Sequence, residues 1–210
     1  MNAATQKITL QGGAGLIEAL LDVPAGEARG TAVIAHPHPL FGGTMTNKVV
    51  QTLARALVQT GWRAVRFNFR GVGASAGAYD EGRGEAADML EVIRQVAPEG
   101  PLAVAGFSFG AFVTSHVVAQ LALRQPEKIV LVGTAASRFA VAPIAAELHE
   151  RTLVLHGEQD DTVVLSSVMD WARPQSLPVT VIPGVEHFFH GQLPLLKSLV
   201  VRHLQAPVSA

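Results

Sequence analysis

With 210 residues, 49% hydrophobic and 16% charged, the chain can bury a substantial core and reads as one folded domain over 1–210. Its formal net charge of -1, with acids and bases interspersed, argues against a nucleic-acid surface or a polybasic membrane patch. Cysteine is absent, which excludes disulfides, thiolate metal sites and a cysteine nucleophile and fits a cytoplasmic location.

The opening MNAATQKITLQGG has no basic segment leading into an apolar run, so no signal peptide is expected. KITLQGGAGLIEALLDVP alternates around Gly12, Gly13 and Gly15 as a β-hairpin would. TAVIAH is a short strand running into the loop PHPLFGG. A helix follows, with Val49, Val50, Leu53, Ala54 and Leu57 at helical spacing and a stop near Gly61. The alternation then repeats. RAVRFNF leads through RGVGASAGAYD to a helix from about Glu81 with Ala86, Met89, Leu90, Ile93 and Val96 on one face.

LAVAGF leads through Ser108 into the helical GAFVTSHVVAQLAL. Residues 100–123 carry no Asp, Glu, Lys or Arg, yet Ser108, Thr114, Ser115, His116 and Gln120 punctuate them and Gly106 and Gly110 divide them. A buried strand turning into a buried helix accounts for this better than a membrane span. KIVLVG, an irregular segment, and TLVLHG come next. A helix around Leu165, Val168 and Met169, the strand VTVIPG and a last helix with Leu195, Leu196, Leu199, Val200 and Leu204 complete the chain. Apolar strands alternating with helices predict a three-layer α/β/α sandwich around a mostly parallel sheet of about eight strands, the first pair antiparallel. In such sheets the chemistry lies at the carboxyl ends of the strands.

At one such end stands GFSFG, residues 106–110, a G-x-S-x-G pattern at a strand-to-helix junction. A serine there sits on a strained turn that lifts its hydroxyl above the sheet, with glycine two residues to either side for want of space. The competing reading of Ser108 is a plain helix cap; the strand-before, helix-after context favours a nucleophile. Such a serine needs a base, and the base an orienting acid, in the chain order Ser, Asp or Glu, His. HGEQDD offers Glu158, Asp160 and Asp161 at a strand's carboxyl end. Asp160 is favoured, Asp161 is the close rival, and either could instead cap the following helix. Only His187, His190 and His203 follow the acid; His187 in PGVEHFFHG lies in the loop after the last strand, His190 is a minority candidate in the same loop, and His203 falls within a helix.

The developing oxyanion needs backbone donors. Phe109 N–H is one candidate; in PHPLFGG, where Pro37 and Pro39 have none, His38 and Leu40 are the others. Phe41, Phe107, Phe109, Phe188 and Phe189 cluster in the same loops, with Phe41, Phe107 and Phe188 expected to line an acyl site. GVGASA, residues 71–76, matches a dinucleotide fingerprint but opens no helix, so no cofactor is expected. His36 and His38 lack the carboxylates a metal site would need, and Arg70 reads as a structural ion pair more readily than as an anion contact.

Together AHPHPLFGG, FNFRGVGAS, GFSFG, HGEQDD and GVEHFF resemble the α/β-hydrolase superfamily over nearly the whole chain. The chain looks most like its small dienelactone-hydrolase-like members, although Ser108 stands where dienelactone hydrolase has cysteine. Residues 135–151, where caps are usually inserted, are too few for a folded lid. The resemblance implies an open site, a small-molecule acyl substrate and cleavage of short to medium carboxylic esters. Thioesters, lactones, peptides, perhydrolysis or a non-catalytic binding scaffold are the alternatives.

Overall fold

Strand and helix patterns condense into eight strands and five α-helices among the residues described by the computed structural model, 5–121 and 123–207. In chain order these are β1 Gln6–Gly12, β2 Gly15–Asp22, β3 Gly30–Ala35, α1 Lys48–Gln59, β4 Trp62–Phe67, α2 Arg83–Val96, β5 Leu102–Phe107 and α3 Phe109–Gln120. Then come β6 Lys128–Val132, β7 Thr152–Gly157, α4 Leu165–Ala172, β8 Val179–Ile182 and α5 Leu193–Gln205. Residues 1–4, at the head of the segment read for a signal peptide, and Ala122, at the end of the expected third helix, lie outside the described residues.

The sheet order is β1-β2-β4-β3-β5-β6-β7-β8. β1 and β2 form the expected antiparallel hairpin, and β2 also runs antiparallel to β4; from β4 to β8 all pairs are parallel. The chain leaves β3 toward β4 on one side and crosses back to β5 on the other. The loops after β3 and β5 therefore diverge from neighbouring strands, paired as far as Ala35 and Gly106. That divergence opens a crevice at the carboxyl edge, where ligands bind in open α/β sheets.

Period-two alternation along each strand feeds two separate apolar layers. Val33, Val65, Val104 and Leu131 face α2, α3 and α4 through Met89, Val117 and Val168. Ala32, Ala64, Ala105 and Val130 face α1 and α5 through Leu53, Leu57, Leu196 and Val200. Strands covered on both faces can be apolar throughout, which is why the sheet is legible as continuous hydrophobic runs. The charge-free segment 100–123 divides into β5 and α3, and α3 is buried on nearly all sides. No helix among the described residues is long and apolar enough to cross a membrane.

Charged groups enter this interior only with partners, as their desolvation requires. Arg66 donates to the Asp22 carboxylate at 2.7 Å and to the Met45 carbonyl at 3.1 Å. Lys128 spans from β6 to the end of α5, donating to the carbonyls of His203 at 3.0 Å and Ala206 at 2.7 Å. There its charge also opposes the negative pole of the helix.

Candidate active site

Between β5 and α3 the backbone of Ser108 adopts φ 57°, ψ -118°, a conformation that side chains other than glycine seldom accept. The turn holds because its surroundings demand it: Ser108 N–H donates to Val132 O at 2.8 Å, and Ser108 O accepts from Ala111 N–H at 3.0 Å. A Cβ on Gly106 would strike the Gly110 carbonyl, and one on Gly110 would strike that of Ala35. Two glycines around a strained serine are thus a packing requirement of the strand–turn–helix. Ser108 does not cap α3 through its side chain; its hydroxyl faces His187 instead.

His187 Nε2 lies 3.0 Å from Ser108 Oγ, and His187 Nδ1 lies 2.6 Å from Asp160 Oδ2. A carboxylate accepts only, so the ring proton sits on Nδ1 and Nε2 is free to accept from the serine hydroxyl. All three residues are buried. Asp160 is pulled inward by its own turn: Oδ1 accepts from the N–H groups of Thr162 at 3.0 Å and Val163 at 2.7 Å. Asp161 is exposed, and Glu158 accepts from Gly184 N–H at 2.9 Å. His190 is exposed and pairs with Glu186 at 3.1 Å, while His203 meets the Arg151 carbonyl at 3.1 Å. Of the candidates read from the sequence, only Asp160 and His187 converge on Ser108. Such a line can pass a proton from hydroxyl to imidazole while the carboxylate steadies the resulting charge.

Two further histidines brace the site. His36 donates from Nδ1 to Pro37 O at 2.6 Å, and its Nε2 accepts from Phe69 N–H at 3.0 Å. Both ring nitrogens are thereby occupied within the protein, and burial lowers its pKa to about 4. His156 donates from Nε2 to Val163 O at 2.9 Å, and its buried Nδ1 has no partner among the described residues. Burial holds this imidazole below its ordinary range, against the opposing pull of Asp160.

Above Ser108 lies a cleft of about 410 Å³. Leu40 N–H is occupied, donating to the His38 ring nitrogen Nδ1 at 3.2 Å. No acceptor within the described residues takes the N–H of His38 or of Phe109, the first residue of α3. Phe41 and Phe188 line the cleft. Phe107 does not. Alternation along β5 turns it, after Ala103 and Ala105, into the layer beneath α1 and α5, where it is fully buried with its ring 4.9 Å from that of His187. It supports the imidazole from below. Phe189 is likewise core.

Sequence reasoning missed the far wall, made by Ala135, Arg138 and Phe139 after β6, and Asn47 at the start of α1. Their only signal was position, since any loop at the carboxyl edge of the sheet can face the crevice. It also missed why Gly133 is glycine: its φ is 54°, and a Cβ there would stand 3.1 Å from His187 Cε1 and 3.2 Å from Phe107 Cε2. Of the other motifs, residues 71–76 close a turn after β4, with α2 starting only at Arg83. Arg70 is a structural ion pair, 2.8 Å from Asp88.

The family model described as serine aminopeptidase, S33, matches residues 26–150. The chain belongs to this serine-hydrolase family of the α/β-hydrolase superfamily. A solved α/β serine hydrolase without a lid from Xanthomonas campestris is 33% identical, with a TM-score of 0.87 over 100% of this chain and 99% of its own. An α/β serine hydrolase homologue from Coxiella burnetii is 38% identical, with a TM-score of 0.79 over 95% of this chain and 97% of its own. An uncharacterized protein of Rickettsia prowazekii (strain Madrid E) is 32% identical across 75% of this α/β hydrolase and 71% of the relative.

Proposed function

We propose that this hydrolase cleaves short to medium carboxylic esters through an acyl-enzyme on Ser108. The observation that carries this reading is the unbroken line from Ser108 Oγ to His187 at 3.0 Å and on to Asp160 at 2.6 Å, set at the base of an open cleft. As Ser108 Oγ bonds to the substrate carbonyl carbon, its proton passes to His187 Nε2. Asp160 holds the imidazole in that tautomer and stabilises its charged form. The N–H groups of Phe109 and His38 receive the oxyanion; Leu40, its own N–H engaged, does not. When the carbon–oxygen bond to the leaving group breaks, His187 returns the proton to the departing alkoxide. Water then repeats the sequence, releasing the acid and restoring Ser108.

The aminopeptidase reading suggested by the family description fits less well. An aminopeptidase must hold a protonated substrate amine, whereas the described residues lining this cleft include Arg138 and no carboxylate.

The test is fluorophosphonate labelling together with hydrolysis of 4-nitrophenyl esters of graded acyl length, comparing wild type with Ser108→Ala. Label should be lost, and kcat should fall by about 10⁴ to 10⁶-fold. A folded wild-type protein that takes no label and turns over no acyl substrate would leave a binding scaffold as the better account.

A further inference from the structure

The cleft over Ser108 carries a charge that the hydrolytic steps do not use. Arg138 lies in its wall, exposed to solvent. Its guanidinium is paired with no carboxylate, carbonyl or aromatic face among the described residues, whereas Arg66, Arg70 and Arg83 all hold acids. Arg138 stands on a fixed turn. The N–H groups of Arg138 and Phe139 donate to Ala135 O at 3.2 and 3.1 Å, and the loop is tied to α3 where Ser115 Oγ accepts from Ala142 N–H at 3.1 Å.

The other polar groups in the wall also present donors. Asn47 spends its oxygen capping α1, accepting from Val49 N–H at 2.9 Å, which leaves its NH₂ to donate. His38 Nδ1 is taken by Leu40 N–H, so the ring proton sits on Nε2. Burial first and the Arg138 charge second hold His38 below its ordinary pKa, and both side chains line the same cleft. Among the described residues no carboxylate lines the cleft: Asp160 is buried with both oxygens engaged, and Asp161 does not reach it. Aromatic rings make up part of the remaining wall, with Phe109 and Phe139 packed 5.2 Å apart against His38.

We propose that the substrate is an ester bearing a carboxylate a few bonds from its reacting carbonyl, and that Arg138 is the residue that selects it. This rests on the hydrolase reading above. A planar guanidinium engages a carboxylate through two parallel hydrogen bonds, and aromatic walls exclude water from the remainder of the chain.

The experiment compares kcat/KM for 4-nitrophenyl hemiglutarate and 4-nitrophenyl butyrate in wild type, Arg138→Gln and Arg138→Lys. A parallel pair, 4-acetoxybenzoate and phenyl acetate, places the carboxylate on the leaving group instead. In wild type the anionic ester of the responsive pair is preferred. Arg138→Gln lowers that ratio about fivefold, chiefly through KM, and Arg138→Lys keeps part of it. About 0.5 M NaCl reduces the wild-type preference.

Equal ratios in wild type and Arg138→Gln, in both pairs, overturn the proposal. NMR titration of the Ser108→Ala protein with monomethyl glutarate and methyl butyrate separates the two readings. Arg138-dependent glutarate binding by an enzyme that turns over no ester would sink hydrolysis and leave the anion site. Ester turnover with unchanged ratios would do the reverse.

Discussion

One oxygen of Asp160 lies beside two imidazoles but bonds to one: Oδ2 lies 2.6 Å from His187 Nδ1 and 3.6 Å from His156 Nε2. The second distance is too long for a direct hydrogen bond, and His156 donates to Val163 O instead. His156 therefore fixes the turn that carries the acid, and the full acceptor strength of Oδ2 goes to His187. In Asp160→Asn the amide NH₂ presents a donor to Nδ1. The ring proton then moves to Nε2, and in the proposed mechanism Ser108 loses its base. We expect kcat to fall by about 10⁴-fold with the fold retained. Asp161→Asn, altering an exposed side chain one residue along, should stay within about twofold. Steady-state kinetics on the two proteins, with circular dichroism as the folding control, decides between the adjacent acids.

Gly133 is the floor under the imidazole. Alanine there must hold a φ of 54° and place its Cβ within 3.1 Å of His187 Cε1. The backbone term alone costs about 1–2 kcal/mol. The closer contact pushes the ring off its line to Ser108, and small misplacements of a reacting group cost rate steeply. Gly133→Ala should therefore lower both the denaturant midpoint and kcat/KM, the latter by about tenfold or more. Gly100→Ala, at φ 77° with nothing within 4 Å of the new Cβ and away from the cleft, isolates the backbone cost. Should it lose as much kcat/KM as Gly133→Ala, crowding of His187 is not the cause.

What could be read from the sequence divides along physical lines. The sheet was legible because burial on both faces writes unbroken apolar runs, and Gly106 and Gly110 because a strained serine leaves no room for a Cβ. Asp160 and Asp161 were harder to separate. Both occupy the same loop, and only the N–H groups of Thr162 and Val163 turn one inward. Phe107 was misread through its neighbourhood rather than its phase, since alternation from Ala103 and Ala105 already points it away from the cleft. The wall at Arg138 and Phe139 was legible only through its position at the carboxyl edge of the sheet. Its loop has no periodicity, and what it faces follows from where β6 ends in the folded sheet.

Acid should weaken the fold through His36. Its Nε2 must stay unprotonated to accept from Phe69 N–H, and burial lowers its folded pKa from 6.5 to about 4. Above about pH 6.5 neither the folded nor the unfolded state binds this proton, and the contribution is intact. Between 6.5 and 4 the unfolded chain binds it while the folded state does not, so unfolding gains free energy and stability falls as pH falls. Below about 4 both states are protonated and the loss levels off, at about 3 kcal/mol for this residue. His203, also lowered to about 4 chiefly by burial, adds to the slope in the same window. Urea unfolding at pH 7.5, 6, 5 and 4.5 (steps of about one unit or less across the span where slope is expected) should show a falling midpoint. The decline should be shallower in His36→Gln, whose amide can accept from Phe69 N–H without titrating. A wild-type midpoint flat across this range, or an equal slope in the variant, would show that His36 stays neutral at no cost to the fold.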